Sequence, residues 1–268
     1  MATSVPAPVR AVLWDVDDTL FDYTGSDRTG ALRHFAAEGV LARFATPEAA
    51  WGMWRAVMEE QYARFLSGEI DFAEHRRERV RAFLGAPLAD SDAEAWFGRY
   101  VTRYEAAWAL FPDAVPALDA LRRPFRHAVL SNSATAHQER KLRALGLEGR
   151  FEHVLCADRL GCAKPDPAAF AAACAALGLP PGEVAYVGDN LDVDAVGAVR
   201  AGLRGIWLDR PGAVPWGGPN GRGTDGAAAA DGAPAQTVPD GVRRIRGLDE
   251  LPALLLGVIG FGAPSTFG

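Results

Sequence analysis

Ala11-Val-Leu-Trp-Asp-Val-Asp-Asp-Thr-Leu20 is the stretch on which the reading of the fold turns. An apolar run from Val9 to Trp14, short enough for a buried parallel strand, ends abruptly in a cluster of acids. Asp15 and Asp17 are two residues apart, so their side chains start on a common side if strand geometry persists. A strand that delivers two alternate carboxylates to its C-terminal end is the layout of a metal-assisted nucleophilic site, where one group attacks and the other handles a proton. Acid-rich turns also end ordinary strands, so the segments downstream decide between the two readings.

Three of them follow in order. Val129-Leu-Ser-Asn-Ser133 is a second apolar strand, ending in hydroxyl and amide donors suited to phosphate oxygens. Gly161-Cys-Ala-Lys-Pro-Asp-Pro167 sets Lys164 before a Pro-Asp-Pro turn; the residue before a proline is driven out of the α region, and the second proline suits a helix start. A lysine fixed there can present its ammonium to a neighbouring site. Val184-Ala-Tyr-Val-Gly-Asp-Asn-Leu-Asp-Val-Asp194 gives a strand, a glycine for a sharp turn, Asp189 at the tip and Asp194 five residues later.

Together these segments resemble the signatures of the haloacid dehalogenase superfamily of hydrolases, in its phosphatase branch: Asp-x-Asp-x-Thr at 15 to 19, Ser131 at a strand end, Lys164 before proline, and Gly-Asp-x-x-x-x-Asp at 188 to 194. The resemblance extends from residue 9 to residue 211. It implies a phosphomonoesterase in which Asp15 is the nucleophile, forming an aspartyl-phosphate, and Asp17 is the general acid and then the base for water. For the acid step Asp17 must hold a proton, so its pKa is expected above the free value of about 3.9. The implied cofactor is Mg²⁺, which prefers oxygen ligands; the Asp15 carboxylate, the Asp17 main-chain carbonyl and the Asp189 carboxylate would hold it. Ser131 and Lys164 would grip the phosphoryl oxygens, with Thr19 and Asn132 as further binding groups. Asp194 fits two roles, steadying Lys164 or a metal-bound water, or serving as an acid in the first turn of the next helix. A carbon–halogen hydrolase and a phosphomutase of the same superfamily are the enzymatic rivals. The first expels halide, needs no proton, and its members typically lack an acid at the position of Asp17; the second must shield its phosphoenzyme from water. A catalytically dead scaffold is disfavoured because every charge needed for turnover is retained.

The expected fold class is α/β, a doubly wound parallel sheet with a smaller all-helical cap. Short apolar runs at 10–14, 127–130, 153–156, 184–187, 205–208 and 242–245 alternate with Ala/Leu/Arg-rich stretches, and all four motifs fall at strand ends, where such sheets bind ligands. The core is read as 1–21, 109–211 and 238–257. Residues 22–108 hold no convincing strand and read as helices over 27–38, 47–67, 72–84 and 92–109; this is the resemblance's helical cap, which closes over the site and supplies specificity contacts. Its aromatics Trp51, Trp54, Trp96 and Trp108 fit the cap's own core better than a stacking platform. Arg28 faces either substrate or solvent. Residues 212–237 form a Gly/Pro/Ala-rich insertion read as a mobile loop, a last helix covers 248–256, and 258–268 is an uninformative tail.

At 268 residues, 49% of them hydrophobic, the chain can bury a full α/β core plus an accessory unit. Its formal net charge of −6 offers no basic stripe for nucleic acid, so the expected partner is a small phosphorylated metabolite drawn in locally by Mg²⁺ and Lys164. Three irregularly spaced cysteines suggest neither a disulfide framework nor a zinc site, and the thiol of Cys162 reads as packed rather than redox-active. With no long apolar run and no basic, apolar leader at Met1 to Arg10, the expectation is a cytoplasmic protein without a membrane partner. Nothing in the sequence fixes the oligomeric state.

Overall fold

β1 (Ala11–Trp14) is buried along its whole length, and the acids follow immediately after it. The computed structural model to which it belongs describes residues 7–212 and 237–257; most of the 212–237 insertion, with Trp216, and the 258–268 tail lie outside the described residues. After β1 come α1 (Tyr23–Ala37), α2 (Pro47–Leu66), α3 (Phe72–Leu84) and α4 (Asp90–Glu105). The chain then alternates through α5 (Ala114–Leu121), β2 (Arg126–Ser131), α6 (Thr135–Ala144), β3 (Val154–Cys156), α7 (Ala157–Leu160), α8 (Pro167–Leu177) and β4 (Val184–Gly188). A π-helical turn, Leu191–Val196, leads into α9 (Gly197–Arg200), and β5 (Arg204–Leu208), β6 (Arg243–Ile245) and α10 (Leu251–Leu255) complete the described fold.

The six strands form one sheet in the order β3-β2-β1-β4-β5-β6, every pairing parallel. It is the α/β doubly wound sheet expected from the sequence. β1 lies between β2 and β4, with Trp14 opposite Val129 on one side and Val187 on the other. The strand order changes direction there, and an open parallel sheet offers its ligand crevice at that point. Below the tips, Leu13, Leu130, Phe170, Leu177 and Tyr186 share one buried cluster under α8. The Trp14 indole N–H donates to His127 Nδ1 at 2.9 Å, satisfying the one polar atom of a fully buried ring.

The chain packs as two compact units: Tyr23–Ala109 in one, and the described residues 7–22, 110–212 and 237–257 in the other. The first is helical. Thr46 caps α2 by accepting from the Ala49 N–H at 3.1 Å ahead of Pro47, and Asp71 caps α3 through the Glu74 N–H at 2.7 Å. Its core is aromatic: Phe35 stacks on Phe83 at 4.6 Å, Trp54 meets Tyr100 edge-on at 4.9 Å, and Trp96 meets His34 edge-on at 4.1 Å. Trp54 and Trp96 are therefore core. Trp51 is half-buried and turns its indole N–H to Asp27, while Trp108 packs edge-on against Tyr104. Gly30 lets α1 and α4 touch, since a Cβ there would lie 2.5 Å from the Tyr104 Cα. Arg28 pairs with Glu48 at 2.6 Å on the exposed surface of this unit.

Strand ends differ from the sequence reading by about one residue, within the usual scatter of such boundaries. Three helices depart further. α4, expected over 92–109, runs Asp90–Glu105 and passes into a turn in which the Ala107 and Trp108 N–H groups donate to the Tyr104 and Glu105 carbonyls. α1 starts at Tyr23, ahead of Asp27, because Ser26 and Asp27 are buried packing positions despite their turn-like character. The expected helix over 248–256 divides into a 3₁₀ turn, Leu248–Glu250, and α10, in whose first turn Pro252 sits, where its missing N–H costs nothing. No helix among the described residues is long and apolar enough to cross a membrane, and all three cysteines are free.

Candidate active site

The loop after β1 is held tight by its own main chain. The Leu20 and Phe21 N–H groups both donate to the Val16 carbonyl, the Asp18 N–H donates to the Phe21 carbonyl, and Asp18 takes a left-handed φ of 57°. Aspartate tolerates that region better than most residues. Asp15 thus sits at the strand tip, its N–H on the Val187 carbonyl at 2.9 Å and its Oδ2 accepting from Thr19 Oγ1 at 3.2 Å.

Lys164 is the centre of charge. Its Nζ lies 2.8 Å from Asp15 Oδ1, 2.7 Å from Asp194 Oδ1 and 2.5 Å from the Tyr186 hydroxyl, and the side chain is only 3% exposed. Asp194 reaches it from the π-helical turn and also accepts from the Asn190 N–H at 3.0 Å. That approach requires Gly188, where a Cβ would fall 2.4 Å from Asp194 Oδ2. Asn132 fixes the lysine's main chain: its Oδ1 accepts from the Lys164 N–H at 2.8 Å, and its Nδ2 donates to the Lys164 carbonyl at 2.9 Å. The amide expected at a phosphate oxygen is thereby committed, in its oxygen and one N–H, to joining two motifs. Ser131, at the tip of β2, accepts from the Ser133 N–H at 3.2 Å.

Asp15, Asp189 and Asp194 each offer a carboxylate oxygen, all within 4.8 Å of one another. Burial pushes Asp15 up to about 7; Lys164 opposes the shift, and Asp194 and Asp17 add to it. Burial also pushes Asp189 well above the usual carboxylate range, reinforced by Asp194, Asp15 and Asp18. One ammonium does not neutralise this many acids. An oxygen-only donor set with excess negative charge fits a hard divalent cation, and no histidine or cysteine joins the cluster to favour zinc.

The Asp17 side chain corrects the sequence reading in one respect, the direction of its pKa. It stands outside that cluster, with Oδ1 paired to Lys141 Nζ and Oδ2 accepting from Gln138 Nε2 at 2.6 Å. Burial alone would raise its pKa, but the Lys141 ammonium and the hydrogen bonds from Lys141 and Gln138 outweigh burial and hold it below the ordinary value. The sequence reading takes the direction from the proton that the acid step requires, without sight of Lys141 and Gln138, and so expects the opposite. Gln138, Lys141 and Tyr186 were missed. A signal for the first two existed, since they lie three residues apart on the helix that follows Ser131 and so share a face.

Comparison with known proteins gives the family. The profile of the haloacid dehalogenase-like hydrolases matches residues 9–202. A phosphoserine phosphatase of Thermus thermophilus is 35% identical over 182 residues, 67% of this chain and 66% of that protein. A glyceraldehyde 3-phosphate phosphatase of Methanopyrus kandleri is 30% identical over 207 residues, covering 75% of this chain and 84% of that protein. Among solved structures, the HAD-hydrolase YfnB of Bacillus subtilis shares the fold with a TM-score of 0.69 at 20% identity, over 93% of this chain and 100% of that one. A 2-haloacid dehalogenase of Pseudomonas syringae gives 0.60 at 26% identity, over 94% and 100%. The chain belongs to the haloacid dehalogenase-like hydrolases, in the branch made of phosphatases.

Proposed function

We propose that the protein is a Mg²⁺-dependent phosphomonoesterase that hydrolyses a small phosphorylated metabolite, of the nucleoside monophosphate or sugar phosphate kind, through an aspartyl-phosphate on Asp15. The observation that carries this reading is the buried Lys164, 2.8 Å from Asp15 and 2.7 Å from Asp194, beside three converging carboxylates. Phosphorylated serine and glyceraldehyde are the substrates named for the two relatives, which supports a small metabolite.

In the first step an Asp15 oxygen attacks phosphorus and the ester oxygen leaves, taking a proton from Asp17. A phosphate dianion beside Asp17 favours its protonated form, opposing the Lys141 ammonium that otherwise keeps it ionised. In the second step Asp17, now a carboxylate, takes a proton from the water that attacks the phosphoenzyme, and Asp15 is released. Lys164 and the Ser131 hydroxyl hold the phosphoryl oxygens in line, while Thr19, expected from the sequence at a phosphate oxygen, gives its hydroxyl hydrogen to Asp15 Oδ2 and so holds the attacking carboxylate. When bound by Asp15, Asp189 and the Asp17 carbonyl, Mg²⁺ supplies positive charge to the transferring group and to the acids around it. Asp194 orients Lys164.

Carbon–halogen hydrolysis is the second reading, favoured by the dehalogenase among the structural neighbours. Halide needs no proton, however, and Asp17 with its two donors is a device without a task in that chemistry. The test is release of inorganic phosphate, with and without Mg²⁺, across a panel of phosphorylated metabolites and 4-nitrophenyl phosphate, run beside 2-chloropropionate. Phosphate release that needs Mg²⁺ is expected; chloride release alone would contradict the proposal.

A further inference from the structure

α6 buries three polar side chains that the reaction as outlined does not use: Thr135, whose hydroxyl is committed to Asp158 at 2.7 Å, and the pair Gln138 and Lys141. Gln138 and Lys141 are 0% and 1% exposed. An ammonium in that position is costly unless it is compensated, and two groups compensate it: the Asp17 carboxylate and the face of Phe21, whose ring centre is 4.4 Å from Nζ. Gln138 Nε2 reaches both Asp17 Oδ2 at 2.6 Å and Ser131 Oγ at 3.0 Å. Only the nitrogen of the amide can face a carboxylate oxygen, so its orientation is set.

Two consequences follow. Both oxygens of Asp17 are fixed by donors from one helix, which sets the plane of the carboxylate. Ser131 Oγ accepts from the Ser133 N–H and from Gln138, so its acceptor sites are filled and its own hydrogen is left to donate. We infer that Gln138 and Lys141 are positioning residues, which hold the Asp17 carboxylate and the Ser131 hydroxyl in one register on the transferring phosphoryl group. This rests on the phosphatase reading, in which Asp17 moves the proton and Ser131 binds phosphate.

The test compares steady-state and rapid-mix hydrolysis of 4-nitrophenyl phosphate with Mg²⁺ in the wild type, Lys141→Met, Lys141→Arg, Gln138→Leu and Asp17→Asn. Lys141→Met should lower kcat by about 10- to 100-fold with KM changed by less than about threefold, because alignment and not binding is lost. Lys141→Arg should recover most of that loss. Gln138→Leu should lower kcat and also raise KM, since it releases Ser131 as well. In the Asp17→Asn background Lys141→Met should cause no further loss, because the group it positions is already gone. Wild-type kcat in both Lys141→Met and Gln138→Leu would overturn the inference. So would an equal loss from Lys141→Met with and without Asp17, the mark of a purely structural role. A wild-type enzyme that releases no phosphate would instead sink the phosphatase reading itself, so the two failures are told apart.

Discussion

Lys164 and Asp15 form an ion pair almost closed to solvent, Nζ to Oδ1 2.8 Å, and Asp194 completes it from the other side at 2.7 Å. Removing the ammonium leaves two acids facing each other in a buried space. Breaking one partner of a buried pair typically costs about 3–5 kcal/mol because the remaining charge is uncompensated. Lys164→Met should therefore lose turnover and also stability by about that amount in cation-free buffer, read by urea denaturation at neutral pH. A variant as stable as the wild type would show that the pair is not the organising contact of the site.

The acid cluster links stability to pH and to the cation. Asp189 and Asp15 have raised folded-state pKa values, so the folded chain binds protons that the unfolded chain has released. Their contribution is present below the unfolded value of 3.8 and is lost as pH rises through the folded value, about 7 for Asp15. In cation-free buffer Asp189→Asn should thus raise Tm at pH 8. Mg²⁺ should stabilise the wild type, by about 2.7 kcal/mol at a hundred times its Kd, and Asp189→Asn much less. An Mg²⁺-induced rise in Tm that is equal in both would remove Asp189 from the metal site.

The helical unit carries an acid sensitivity of its own. Burial lowers His34 and His75 to about 4, with Arg103 adding to the shift for His34 and Arg79 for His75. Neither His75 ring nitrogen has a hydrogen-bond partner among the described residues. The unfolded imidazoles titrate near 6.5, so the unfolded chain gains protons first, and stability falls as pH drops from 6.5 toward 4. The loss is about 3 kcal/mol per histidine at most, from about 1.36 kcal/mol per pKa unit. His75→Leu should flatten part of this acid limb in a pH series of urea midpoints; an unchanged limb would contradict it.

The sheet was legible because β1 and β4 are apolar runs and β2 carries one from Ala128 to Leu130, each ending in a chemically distinctive tip, and a period-two acid pair is visible without coordinates. α3 was legible from its spacing between Ser67-Gly68 and Gly85, whose φ is 61°. The partners of Asp17 were not. Gln138 and Lys141 lie 121 and 124 residues from it in sequence and look like the solvated face of a polar helix. The same holds for Tyr186, which reads as one more strand residue until Lys164 arrives 2.5 Å from its hydroxyl. Local pattern reveals which residues carry chemistry, whereas the field each one feels is set by tertiary neighbours.

Asp15 as nucleophile is the central claim, and trapping the phosphoenzyme tests it most directly. The Asp17→Asn variant is mixed with 4-nitrophenyl phosphate and Mg²⁺, quenched in acid within milliseconds, reduced with borohydride and digested for mass spectrometry. The account predicts a burst of 4-nitrophenolate near the enzyme concentration and a modified carboxyl at Asp15, both absent once Asp15→Asn is added. Turnover that persists in Asp15→Asn with deamidation excluded, or an adduct on any other residue, would contradict it.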